Sequence, residues 1–75
     1  MMKNYNFKMR NLDCANCANE LERALQKIDI LVNVNISFIM QKLSFDCREE
    51  DIGEALIRIK KVIKKMEPDV KIEEI

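Results

Sequence analysis

The apolar residues of this chain change period in the order two, helical, two, two, helical, two, and that order restricts the fold more than any other feature. Tyr5, Phe7 and Met9 alternate with Asn6 and Lys8, the pattern of a half-buried strand. From Ala15 onward Ala18, Leu21, Ala24, Leu25 and Ile28 recur at helical spacing, while Asn19, Glu20, Glu22, Arg23, Gln26 and Lys27 take the outer side. Alternation then returns, with Val32, Val34, Ile36 and Phe38 expected inward and Asn33, Asn35 and Ser37 outward, until Ile39, Met40 and Gln41 break it. Leu43 and Phe45 continue the inward set on a hairpin partner running from Lys42 to Cys47. Asp51 reads as the N-cap of a second helix whose stripe is Ile52, Leu56, Ile59, Val62, Ile63 and Met66, and Pro68 forbids its continuation. Val70 and Ile72 alternate with Asp69, Lys71 and Glu73 as a short last strand.

A chain of 75 residues has interior enough for one hydrophobic core, so residues 1–75 are expected to form a single domain. Two amphipathic helices share that core most economically by packing on one face of a four-stranded antiparallel sheet. The expected class is therefore α+β, a ferredoxin-like βαββαβ sandwich. Gly53 is the only glycine, so the turns fall to Asn, Asp and Ser. Glu73, Glu74 and Ile75 read as the start of a linker as much as an end, which leaves room for the domain to be the N-terminal module of a longer chain.

Thirteen basic and thirteen acidic residues cancel, which removes the long-range field that draws a protein onto nucleic acid or anionic lipid. No apolar run approaches the roughly 20 residues that span a bilayer, and residues 1–10 lack the apolar stretch of a secretory signal. The segment is thus expected to be cytoplasmic, without nucleic-acid binding or direct membrane insertion. Three cysteines fit a disulfide framework poorly, and the absence of histidine excludes most catalytic zinc sites. Thiolate chemistry remains.

Cys14 and Cys17 form a C-x-x-C where the first strand passes into the first helix. Two intervening residues let both sulfurs turn toward one point, and the unpaired N–H groups and positive dipole end of a helix start favour thiolate, the form that binds metal. Two sulfurs suffice for linear copper(I) but fill only part of a zinc tetrahedron, so further donors decide the ion. Asp13 adds a harder oxygen and a third negative charge, which suits zinc(II), cadmium(II) or lead(II) better than copper(I). Asp13 has a second reading as a helix cap that touches no metal. A C-x-x-C is also a dithiol redox motif, against which stand the short chain and the missing aromatic residue ahead of the pair.

The segment Asn11-Leu12-Asp13-Cys14-Ala15-Asn16-Cys17-Ala18 resembles the heavy-metal-associated domain family, with further matches at Leu21, Glu22, Ile36, Phe38, Lys42 and Leu43. The resemblance covers nearly the whole chain and implies the same strand and helix order. Its Asp-Cys-x-x-Cys form is most similar to the N-terminal module of zinc, cadmium and lead exporting P-type ATPases, whereas copper members usually carry Thr or Ser at the position of Asp13. The resemblance therefore implies a non-enzymatic module that binds a divalent ion through Cys14, Cys17 and Asp13. Its partners would be the ion and the rest of a parent ATPase in the cell membrane, or a similar metal-binding domain. A free-standing copper(I) metallochaperone and a small dithiol oxidoreductase are the alternatives. The family usually has Gly-Met where this chain has Asn11 and Leu12, and Leu fills the space of Met.

Topology separates the remaining candidates. Strand one runs toward the metal loop and strand three away from it, so Cys47 is expected at the far end as a packed or half-exposed thiol. Met40, Met66 and Glu67 belong to the two turns at the metal end and are candidates for a second shell, from which a thioether or carboxylate could enter the ligand set; the plainer reading makes Met40 a turn residue and Met66 the end of its helical stripe. Arg58, Lys60, Lys61, Lys64 and Lys65 cluster on helix two, either as a docking patch or as a solvated face.

Overall fold

Alternation in the sequence becomes alternation in burial. In the computed structural model, which describes residues 2–74, the elements are β1 (Met2–Arg10), α1 (Ala15–Gln26), β2 (Val32–Ser37), β3 (Lys42–Arg48), α2 (Ile52–Met66) and β4 (Lys71–Glu74). A 3-10 turn over Glu49–Asp51 precedes α2. The strands form one sheet in the order β2-β3-β1-β4, every neighbour antiparallel. This is the expected ferredoxin-like arrangement.

One core holds it together. Phe7 and Met9 of β1 and Leu43, Phe45 and Cys47 of β3 meet Ala18, Leu21 and Leu25 of α1 and Ala55, Ile59 and Ile63 of α2. Phe45 lies at the centre, its ring stacked on Phe7 at 5.7 Å and on Tyr5 at 5.8 Å. Each fully buried Leu, Ile or Phe contributes on the order of 1.5–3 kcal/mol by leaving water, so the inward set suffices to dock both helices.

Several expectations need correction. β1 begins at Met2 rather than Tyr5, because the polar Asn4 joins the ladder by donating to Ser44 and Asp46 on β3. Val32 was expected inward and is exposed: the pairing with β3 shifts register between Val32 and Asn35, where Asn33 takes a φ of 54°, and Val32 falls opposite the outward Asp46. Phe38 is also largely exposed, since β2 ends at Ser37 and Phe38 opens the turn. Met66, the last residue of α2, is exposed instead of completing the stripe, while Ala55 is fully buried. Asp51 occupies the N-cap position but makes no side-chain cap bond. Glu73 and Glu74 belong to β4 rather than to a linker; Ile75 lies outside the described residues. Asn11, Asn33 and Gln41 take positive φ, so asparagine supplies two of the three left-handed positions, one in the metal loop and one at the register shift in β2.

No helix among the described residues is long and apolar enough to cross a membrane.

Candidate metal centre

The loop that carries the thiols is fastened on three sides. Asn11 ends β1 with a φ of 64°, and its side-chain amide donates to the Asp69 carbonyl at 3.0 Å, tying the loop to the turn between α2 and β4. Leu12 is 1% exposed and anchors the loop in the core. Its carbonyl accepts from the Gln41 side chain, and the Met9 N–H donates to the Gln41 carbonyl at 2.7 Å, tying in the turn between β2 and β3. Three turns are thereby gathered at one end of the sheet.

Cys14 is the N-cap of α1, in extended conformation, and its Sγ accepts the Cys17 backbone N–H at 3.4 Å. The cap is therefore sulfur, and the reading of Asp13 as the helix cap does not hold. The Cys14 carbonyl accepts from the Ala18 N–H at 3.0 Å, which starts the helical ladder. No acidic residue lies in the first turn of α1, so the dipole end and free N–H groups act on the sulfurs without a competing carboxylate there.

Both thiols are free and half-buried. The Cys14 thiol is held below its ordinary value, first by a hydrogen bond from the Cys17 side chain and then by the Cys17 backbone N–H. Cys17, the donor, is pushed up to about 12, chiefly by that same hydrogen bond, then by burial and by negative charge on Cys14 and Glu67. Cys14 is thus the readier thiolate of the two. Metal ions bind cysteines as thiolates and release their protons.

The expected site residues are placed unevenly. Cys14 and Cys17 face each other, and the Glu67 carboxylate stands near enough to raise the Cys17 thiol by charge and hydrogen bonding. Asp13 precedes Cys14 with its side chain exposed, and among the described residues no three Cys, Asp or Glu side chains are gathered into a ready cluster. Met40 projects from the β2–β3 turn and Met66 ends α2, both exposed. Cys47 is fully buried at the other end of β3, opposite Lys3, and burial pushes its thiol up. It lies where the topology put it. Sequence reasoning set Glu67 beside the methionines as a neighbour; the signal that singles it out is its place immediately before Pro68, where α2 must stop and the carboxylate turns to the thiol end.

Two sulfurs held at one point are soft donors that suffice for copper(I) and fill part of the shell of a borderline divalent ion.

The chain is 32% identical over 66 residues, 88% of its length, to a cadmium, zinc and cobalt-transporting ATPase of Helicobacter pylori, and spans 9% of that protein. Among solved structures it resembles the N-terminal domain of ZntA in the Zn(II) form, with a TM-score of 0.69, 21% identity and coverage of 95% of this chain and 89% of that one. It equally resembles the Cu(I)-loaded N-terminal domain of a potential copper-translocating P-type ATPase from Bacillus subtilis, with a TM-score of 0.72, 20% identity and coverage of 99% and 88%. Residues 6–69 match the heavy-metal-associated domain, and the chain, a binding module not itself catalytic, belongs to that family.

Proposed function

We propose that this domain is the cytoplasmic N-terminal module of a membrane ATPase that exports a divalent ion of the zinc, cadmium and lead class, and that it holds the ion as cargo. Cys14 and Cys17 bind as thiolates, and Asp13 turns in from the loop as third ligand. Glu67, just past the end of α2, is a further oxygen at the same end of the sheet. The observation that carries this reading is the pair of free, half-buried thiols at the start of α1 with the exposed Asp13 immediately before them: a site for monovalent copper gains nothing from an added negative oxygen, whereas a divalent ion bound by two thiolates accepts it readily. The Helicobacter pylori relative, named for cadmium, zinc and cobalt transport, supports the same class. Hydrolysis and transport would reside in the rest of the parent chain.

Competitive titration of zinc, cadmium and copper(I) against chromophoric chelators tests the assignment. Asp13→Ala should weaken zinc and cadmium about 10–100-fold, the range seen when a partner of a metal ligand is removed, and leave copper(I) unchanged. Copper preference untouched by Asp13→Ala supports the free-standing copper(I) chaperone instead. Robust insulin reduction with a recycling reductant supports the dithiol oxidoreductase.

A further inference from the structure

The turn between β2 and β3 has an unusual composition. Turns draw on Gly, Pro, Asn, Asp and Ser, yet this one is Phe38, Ile39, Met40 and Gln41. Ile39 is 93% exposed and Met40 67%. The backbone beneath them is tied down: the Met40 N–H donates to Ser37 Oγ at 3.2 Å, the Gln41 N–H to the Phe38 carbonyl at 3.3 Å, and Gln41 is bonded to both β1 and the metal loop. So the turn holds its apolar side chains outward.

Behind the tip, on the sheet face without helices, the cations are crowded together. Lys8 alternates with the buried Phe7 and Met9, Lys42 precedes the buried Leu43, and the two stand directly opposite across β1 and β3. Across β1 and β4 Arg10 stands opposite Lys71, and Lys8 opposite Glu73. Like charges directly opposite are destabilising. The acid within this group, Glu73, is engaged by Arg10 at 2.8 Å. Among the described residues Lys8, Lys42 and Lys71 have no ion pair. The zero net charge of the chain conceals this segregation.

We propose that this end of the domain docks on an anionic lipid surface, with Ile39 and Met40 entering the headgroup region and Lys8, Lys42, Lys71 and Arg10 meeting lipid phosphates. Shape decides between lipid and protein. A protein partner takes apolar anchors into a matching pocket at the centre of a dry interface. A bilayer accepts a convex apolar tip anywhere on its surface while its headgroups spread over flat basic flanks. Docking would bring the thiol loop, bonded to the same turn through Gln41 and Leu12, down to the membrane surface.

Co-sedimentation of the 75-residue chain with vesicles tests this. The chain should pellet with vesicles of phosphatidylcholine and phosphatidylglycerol at low salt, be released as salt rises, and stay in solution with phosphatidylcholine alone. Ile39→Asp with Met40→Asp, and separately Lys8→Glu with Lys42→Glu, should each weaken partition at least about tenfold. Circular dichroism should report an unchanged fold, because Ile39 and Met40 are exposed. Absence of the wild-type chain from the anionic pellet overturns the proposal, as does full partition of the Ile39→Asp, Met40→Asp variant. Retention on immobilised polyglutamate without vesicle binding assigns the patch to an acidic protein face and likewise overturns it.

Discussion

The two ends of the sheet carry the same reactive element and use it in opposite ways. At one end Cys14 and Cys17 sit free and half-buried on a helix start, the Cys17 backbone N–H on the Cys14 sulfur. At the other, Cys47 is fully buried among core side chains and its thiol is pushed up by burial. Around Cys47 the polar groups are paired: Asp46 accepts from Asn4 and Asn33 at 2.9 Å each, and Lys3 pairs with Glu49. Around the thiol pair Ile39, Met40, Asp13 and Asp69 lie exposed. The far end is organised for stability, and the thiol end keeps its reactive groups accessible at the expense of local packing. Burial and partners, rather than residue type, set what a cysteine does.

The sharpest way to break this comparison is to make one substitution at both ends. Cys47→Ser places a hydroxyl in the core and should cost about 1–3 kcal/mol of unfolding free energy in urea denaturation. Cys14→Ser should leave stability within about 0.5 kcal/mol or raise it, because Ser is a preferred N-cap and the position is partly solvated. Equal losses at the two positions would erase the distinction.

A smaller effect sharpens the far end. Hydrogen bonds from Asn33 and then Asn4 hold the Asp46 carboxyl below its ordinary value of 3.8. A carboxylate with a lowered folded value contributes stability that is present above the unfolded value and is lost as pH falls through the folded one. Melting curves between neutral pH and about pH 2 should therefore show a steeper acid loss for the wild type than for Asp46→Asn, with Glu49 and Lys3 common to both. Parallel curves would mean that the Asp46 bonds add nothing.

How far the sequence revealed this molecule differs along the chain. Element order and the core of β1, α1 and β3 were legible because period and burial coincide at Phe7, Met9, Leu21, Leu25, Leu43 and Phe45. Val32 was misread because a register shift at Asn33 flips the face of everything before it, and no periodicity announces a bulge at a non-glycine residue. Phe38 and Met66 follow the apolar pattern but stand where an element ends, and the core does not extend to them. In the site, the spacing of Cys14 and Cys17 was plain, as was the distance of Cys47. That Cys14 itself caps the helix was hidden, since an aspartate stood just before it and caps are ordinarily oxygen. The proximity of Glu67 to the thiols depends on how the α2–β4 turn folds back, a tertiary fact that spacing along the chain does not encode.

The central claim is that Cys14 and Cys17 converge on one ion. Competitive titration of zinc and cadmium into the wild type and into the double variant Cys14→Ser, Cys17→Ser tests it most directly. The account predicts one ion per wild-type chain and a loss of at least about a thousandfold in affinity when both thiolates are removed. Undiminished affinity in the double variant would contradict it.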